Sequence, residues 1–499
     1  MREIGNQYIE DEPRFMPSYE ATETGFMIHD PVWGDCLIGD QPGDEVLLEL
    51  LDNDLVRRSM AIEQLTLSPL TETIPGTASF SRWEHIWGSV ALVRHLAEGM
   101  DITPRERLIF QLRTFVSDLG HTAYSHLGDW LFQGVGGQEN QHDIELMKML
   151  EMSGVADILR KHEVQPDEVV FPDIEDWVEC SAPELCVDRV DYGAREIKRW
   201  PIDSDSSMVA SSSAFKLIEG KIVMPSHQAA LVFAKSFLLL ATEHWSEPVH
   251  RLQLRLQEML VQDVLRHEYL GLISIDMGNA DMFHPRDLLY AVDGDITREM
   301  YLFGGLGSTV MPIMDAIGLA RRRVYVNERR EQLGYFKRND TDEYPNPVEH
   351  YDYFGQRIGK LALLPSFIEV VPVEKMPDGP EYGDNPNSLD VFLPALKPRF
   401  VDPTFVDKAG NQQRLSAFDD KFAALLSQQA RYSEQAYIAR VFMNADTKST
   451  IVERVTENKE LWAKAVQRPR MSTEVFRRML HNTTSVAAGY SMINLYWTR

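Results

Sequence analysis

The segment Phe115–Trp130, FVSDLGHTAYSHLGDW, carries two histidines and two aspartates, with Ser117 directly before Asp118. Around it, six of the 14 histidines fall between positions 85 and 162: His85, His95, His121, His126, His142 and His162. Asp118, Asp129, Asp143, Asp188 and Asp191 lie in or just beyond that window. Imidazole and carboxylate together suit a divalent cation, which wants them on rigid elements with positions left open for water and substrate. Histidine is also a proton carrier near neutrality, because its ordinary pKa is ~6.5. Satisfied core or surface histidines would give the same composition, so the elements that carry these residues matter.

Apolar spacing predicts helices over LLELLDNDLVRRSMAIEQL (47–65) and WEHIWGSVALVRHLAEGM (83–100). Pro69, Pro75 and Gly76 interrupt the chain between them. Asp101-Ile-Thr-Pro104-Arg-Glu106 reads as the capped start of a helix that ends at Gly120. His85 and Asp118 then sit on helices, and Asp188 sits near the start of another, so three helices can converge on one ion. A Ser- and Asp-rich linker (203–213) precedes a strand-like pair, AFKLIEG and KIVMP, and a long helical block follows at about 226–268. Further helices are predicted at 286–304 and in the basic stretch 319–333. From about Asn339 the text turns Pro-, Tyr- and Asp-rich, predicting irregular or mixed structure, and helices return after Ser416. The expected fold is mainly α with a few short strands. Its expected divisions are a polar arm (1–27), a catalytic domain (28–335, core motifs 82–196) and a C-terminal accessory region (336–499).

With 499 residues and 44% apolar content, a sizeable core is available. The net charge of −26 argues against non-specific nucleic-acid binding, which needs a cationic surface. Cys36, Cys180 and Cys186 form no CxxC pair, so neither a zinc knuckle nor a disulfide scaffold is indicated. The first residues, MREIGNQYIEDEPRF, lack the apolar run of a signal peptide. The most apolar stretch, 229–241, contains Lys235 and is too short to cross a bilayer. A cytoplasmic protein without membrane association is expected.

Several motifs occur in a telling order: Arg82-Trp83-Glu84-His85, then Ser117-Asp118-Leu119-Gly120-His121 with Ser125-His126, then Asn140-Gln141-His142, then VDRVDYGARE at 187–196. Together they resemble the HD-domain phosphohydrolases, most closely the branch of deoxynucleoside-triphosphate triphosphohydrolases that includes the SAM-and-HD-domain proteins. That branch carries RxEH, HDLGHxPxSH, a later single His and VDxxDYxxRD. Asp30-Pro31-Val32-Trp33-Gly34 and Ala61-Ile62-Glu63-Gln64-Leu65 extend the likeness upstream. It is dense over roughly 28–200, diffuse to about 305 and absent beyond 340.

The resemblance implies an HD-type helical bundle and one divalent ion (Mn, Mg, Fe, Ni or Zn) held at His85, Asp118, Asp188 and the position of Ser117. It implies His126 and His142 acting near the scissile phosphate, with Asp118 beside them; His121, which follows the helix-ending Gly120, reads as a supporting residue. Gln64 and Leu65 match positions that meet the deoxyribose, Arg82 a phosphate contact and Tyr192 a sugar-packing ring. Glu196 stands where the family has an Asp that bonds the 3′-hydroxyl, and Arg189 is counted with these substrate contacts. The expected reaction releases nucleoside and triphosphate from a dNTP, and family likeness suggests a homo-oligomer.

Two departures bear on that expectation. Ser117 replaces the His of the HD doublet, and a hydroxyl is a much poorer ligand than imidazole. A nucleotide-binding regulator without hydrolase activity is therefore the rival reading. On the later helix, SEPVHRLQLRLQE (246–258) keeps His250-Arg251 but lacks the family's Tyr-x-x-Lys. Gly304–Thr309 lacks the lysine of a phosphate loop and reads as a turn. The run Arg321-Arg322-Arg323-Val324-Tyr325 reads as a solvated helix face.

Overall fold

A computed structural model describes residues 17–64, 80–133, 141–170, 176–199, 209–269, 349–351, 357–360, 367–375 and 381–465, with a few short pieces besides. Strands β1 (Ser18–Ala21), β2 (Phe26–Asp30) and β3 (Gly34–Ile38) form an antiparallel meander. The stretch from Ser18 to Met27, read above as part of an arm, thus belongs to this sheet. Helices α1 (Asp44–Leu50) and α2 (Asp54–Arg58) follow, where the sequence suggested one helix. Asn53 divides them: its side chain accepts from the Leu55 amide at 2.9 Å and starts a new helix.

The site is carried by α3 (Arg82–Ala97), α4 (Pro104–Ser117), α5 (Leu127–Gln133), α6 (Gln141–Ser153) and α9 (Val187–Arg199), with α7 (Val155–Lys161) and α8 (Pro166–Val170) packed outside them. Capping boxes fix where the first two begin. Ser81 pairs with Glu84 ahead of α3, and Thr103 pairs with Glu106 ahead of α4, with Pro104 at its first position. Nearly every residue of α3 is buried, which makes it the central helix of the bundle. The predicted helix to Gly120 stops at Ser117, and Asp118–Gly120 form a tighter 3-10 turn. That turn swings Asp118 off the α4 face toward α3.

Two glycines allow the close approaches the site needs. A Cβ on Gly88 would lie 1.5 Å from Arg195 Nη2, so only glycine lets that guanidinium lie against α3. A Cβ on Gly120 would lie 2.3 Å from the His142 carbonyl oxygen, so glycine lets the turn press on α6. Between Gly120 and α5, Tyr124 and Ser125 adopt φ of 56° and 51°, the left-handed region that costs a non-glycine residue ~1–3 kcal/mol.

β4 (Lys216–Ile218) and β5 (Lys221–Met224) form the predicted strand pair, extended by β10 (Thr404–Val406) and β11 (Gln412–Arg414). Helices α10 (His227–Leu240) and α11 (Pro248–Tyr269) account for the long helical block. β6 (Glu349–Tyr351) and β7 (Arg357–Lys360) pair with each other; β8 (Ile368–Val373), β9 (Ser388–Leu393) and β12 (Ala436–Phe442) form a sheet with β12 in the centre. Helices α12 (Leu415–Phe418), α13 (Asp420–Ser433) and α14 (Ala445–Ala465) complete the described chain, so a strand interrupts the region expected to be helical after Ser416. The large core lies within the helical bundle. A second core joins Ala123, Tyr124, Leu127 and Leu131 to α11, the β8-β12-β9 sheet and α14. The fold is mainly α. Among the described residues no helix is long and apolar enough to cross a membrane.

Gly120→Ala must move either the turn or α6 and is expected to destabilise the protein by ~1–3 kcal/mol. Urea unfolding measures it, and an unchanged midpoint would contradict the close contact.

Candidate metal centre

Asp191 organises the deepest part of the site. Its carboxylate is buried and accepts from His85 Nδ1 at 2.7 Å, from Arg195 Nε at 2.8 Å and from the Trp33 indole. Arg195 also donates to Asp30 at 2.6 Å, and Asp30 in turn accepts the Val32 and Trp33 amides. Because His85 Nδ1 faces a carboxylate, it carries the proton, and Nε2 is the nitrogen turned toward Asp188 and Asp118.

His85 Nε2 lies 3.0 Å from Asp188 Oδ1 and 3.4 Å from Asp118 Oδ2. The structure therefore brings His85, Asp118 and Asp188 from three elements into one group, whose ligand atoms lie within 4.8 Å of one another. This donor set fits a divalent cation: one imidazole nitrogen and two carboxylates, with the imidazole oriented from behind by Asp191. Ser117 stands outside it. Its hydroxyl donates back to the Thr114 carbonyl at 3.1 Å, although the residue lines the same cavity.

His121, His126 and His142 form a second group, again with nitrogens within 4.8 Å. The His121 and His142 rings stack at 3.9 Å, and His121 Nε2 lies 3.6 Å from Asp118 Oδ1. Asp118 thus presents one oxygen to each group. His121, expected in a supporting place, lines the cavity itself. Sequence reading did not assign a role to Asp129, which accepts from His126 Nδ1 at 2.9 Å and from the Gln141 amide at 2.7 Å. Its position three residues after His126 on a helical start was the available signal. Asp191 was likewise counted among the acidic residues without a role.

The electrostatics follow from these contacts. Burial disfavours the charged form of His85, but Asp118, Asp188 and Asp191 outweigh it and raise the pKa to about 10. Burial opposes ionisation of Asp118 too, yet Arg82, His85 and His121 hold it well below the ordinary carboxylate range. Burial, Arg82 and His142 push His121 down, whereas Asp129, Asp143 and Asp118 overcome burial and raise His142. Two stacked imidazoles are thereby driven apart, one toward neutral and one toward protonated, the separation that acid–base work requires.

A cavity of about 410 Å³ joins these groups to the predicted substrate residues Gln64, Arg82, Arg189, Tyr192 and Glu196. Leu65, Gly304–Thr309 and the basic run 321–325 lie outside the described residues. Arg82 donates to Asp118 at 2.7 Å and to Ser125 Oγ at 3.0 Å. Tyr192 packs between Phe237 and Trp245, and Glu196 accepts from the Trp245 indole at 2.9 Å. Arg189, also on the cavity lining, donates to the carbonyls of Cys180 at 2.7 Å and Glu184 at 3.0 Å. His250 lines the cavity, and burial with the adjacent Arg251 lowers its pKa to about 4. Arg251 is fully buried and binds backbone carbonyls.

No family model matches the chain. It is 26% identical over 237 residues to the metal-dependent phosphohydrolase cns2 of Cordyceps militaris, covering 46% of this chain and 63% of that one. It is 30% identical over 168 residues to the uncharacterized protein YdhJ of Bacillus subtilis, covering 33% and 47%. The chain thus spans less than two thirds of the length of either relative. A solved phosphohydrolase of Bacteroides thetaiotaomicron shares the fold at a TM-score of 0.50 and 15% identity, over 84% of this chain and 99% of that one.

Two outcomes follow from the site's electrostatics. A metal takes neutral imidazole, so binding must displace the His85 proton, and affinity should rise with pH between ~6.5 and the raised pKa of about 10. Calorimetry with Mn²⁺ in buffers of different ionisation enthalpy reads that proton; pH-independent binding would contradict it. In the metal-free chain the sign is opposite. The raised pKa stabilises the fold fully below ~6.5, and this contribution is lost as pH climbs through about 10. Asp191→Asn is expected to weaken Mn²⁺ binding ~10–100-fold, since it replaces the charged carboxylate behind the His85 ring with a neutral amide. Unchanged affinity in the folded variant would show that His85 needs no such support.

Proposed function

We propose that this chain is a metal-dependent HD-type phosphohydrolase that cleaves a nucleotide, with a dNTP as substrate and deoxynucleoside plus triphosphate as products. The observation that supports it best is the meeting of His85, Asp118 and Asp188 at one point beside His126 and His142. A divalent ion at His85, Asp118 and Asp188 supplies Lewis-acid stabilisation of phosphoryl charge. Arg82, already aimed at Asp118, adds a planar guanidinium for the phosphate oxygens. Asp129 holds His126 by Nδ1, which leaves Nε2 to exchange a proton in the cavity. Water would add to the α-phosphorus as its bond to the deoxyribose 5′-oxygen breaks, and His142, whose pKa is raised by Asp129, Asp143 and Asp118 against burial, would give that 5′-oxygen its proton. Tyr192 offers an apolar face for the sugar, and buried Gln64 stands on the same cavity wall.

Ser117 favours a second reading, a nucleotide-binding regulator with little or no turnover, because its hydroxyl is bound to its own helix rather than directed at the ligand group. One experiment separates the two. A metal-supplemented dNTP panel on the full chain and on Ser117→His, read by chromatography, should yield deoxynucleoside and triphosphate, with about tenfold or more gained by the histidine. No product from either protein, with nucleotide binding retained, would leave the regulator. If turnover is seen, His126→Gln should lower kcat by ~10²–10⁴ with a smaller effect on KM.

A further inference from the structure

Residues Pro394–Asp402 run without regular secondary structure along one side of the cavity, and Leu396, Lys397, Pro398, Arg399 and Phe400 line it. This strap lies about 200 residues beyond the last chemical motif, yet it is firmly held at both ends. Buried Arg251 donates to the Pro394 carbonyl at 3.0 Å and to that of Gln435 at 2.7 Å, while the Leu396 amide donates to Ser433 at 3.0 Å. At the other end the Asp402 amide donates to the Pro183 carbonyl at 2.9 Å, and its carboxylate accepts from Arg414 Nε at 2.7 Å and the Ser416 amide at 2.9 Å. Leu396 packs on Trp130 and Leu254, and Pro398 restricts the backbone between the anchors.

The charges around the cavity make this strap consequential. Five carboxylates line it, Asp118, Asp143, Glu179, Asp188 and Glu196, a wall that repels a polyanion. Three guanidinium groups of the lining have partners within the protein: Arg82 with Asp118, Arg113 with Asp176, and Arg189 with backbone carbonyls. Lys397 is exposed on the strap and forms no hydrogen bond or ion pair among the described residues. Arg399, half-buried, stands two residues on.

We propose that Lys397 and Arg399 form a subsite for a condensed phosphate chain, held on the pinned strap in the cavity that Asp118 and Asp188 also line. It supplies from the C-terminal region the cationic grip that the helix at 246–258 does not, since Arg251 there is spent on positioning the strap. The subsite deepens the phosphohydrolase reading and rests on it for the view that the phosphate chain is the substrate's tail. A free polyphosphate would be recognised by the same chemistry.

Calorimetric titration of the full-length chain with inorganic triphosphate, orthophosphate, a dNTP and the matching dNMP tests this. Triphosphate and dNTP should bind more tightly than orthophosphate and dNMP. In Lys397→Ala/Arg399→Ala that advantage should fall at least about tenfold, because each lost charge-assisted contact is worth about tenfold in affinity. Arg399→Lys should retain part of it, and circular dichroism checks that the exposed-strap variants remain folded. Absent triphosphate binding in the wild type, or equal binding in the double variant, would overturn the subsite. Loss of triphosphate binding with dNTP affinity unchanged would move it to a free polyphosphate and away from the substrate. Strap-dependent binding without turnover of any nucleotide would sink the hydrolase reading while keeping the subsite.

Discussion

Asp191 has no exposed surface, and a buried carboxylate is stable only when its charge is answered from all sides. Here the answer comes from three separate segments: Trp33 in the turn between β2 and β3, His85 on the central helix, and Arg195 one turn further along its own helix. Arg195 passes the network on to Asp30. Gly88 leaves the gap through which that guanidinium reaches. The orientation of the His85 ring, and with it the ligand group, depends on this knot. The N-terminal meander is therefore part of the site's foundation, although none of its residues reaches the ligand atoms.

Around that knot the site separates charge. Asp118 stays ionised between Arg82, His85 and His121, while the stacked pair of His121 and His142 is split in protonation by neighbours on opposite sides. Asp129 supports one imidazole of the second group much as Asp191 supports the imidazole of the first. Both groups thus share a design in which a carboxylate on Nδ1 leaves Nε2 of the ring for other partners. Ser117 fits neither pattern. Its hydroxyl closes on the Thr114 carbonyl, as a serine at a helix end commonly does.

The local signals were legible in the sequence where chemistry and capping are local. Ser81 with Glu84 and Thr103 with Glu106 mark two helix starts, and the spacing of His85, Asp118 and Asp188 places one ligand on each of three elements. What sequence could not convey was the long-range pairing. The role of Asp191 depends on Trp33, 158 positions away, and no periodicity reports that. The 47–65 stretch had helical spacing, but Asn53 recaptured the backbone and divided it. The strands after Asn339 alternate too briefly to stand out among Pro and Asp, and β12 gains its place from partners on both sides. His250-Arg251 looked like a remnant of a phosphate grip, whereas Arg251 bonds only backbone oxygens in the contacts described above.

The left-handed pair Tyr124 and Ser125 carries a consequence for how this protein can be divided. Tyr124 is buried not in the bundle that supplies the ligands but among side chains of α11, α14 and the distant sheet. The strain of that turn is held by packing from the C-terminal half, and the turn delivers His126. A gene segment cut at the limits of the recognisable motifs would encode His85, Asp118 and Asp188 yet leave this hinge without its clamp. The second half of the polypeptide is thus a mould for the first, and the two would have to be inherited together for the chemistry to persist.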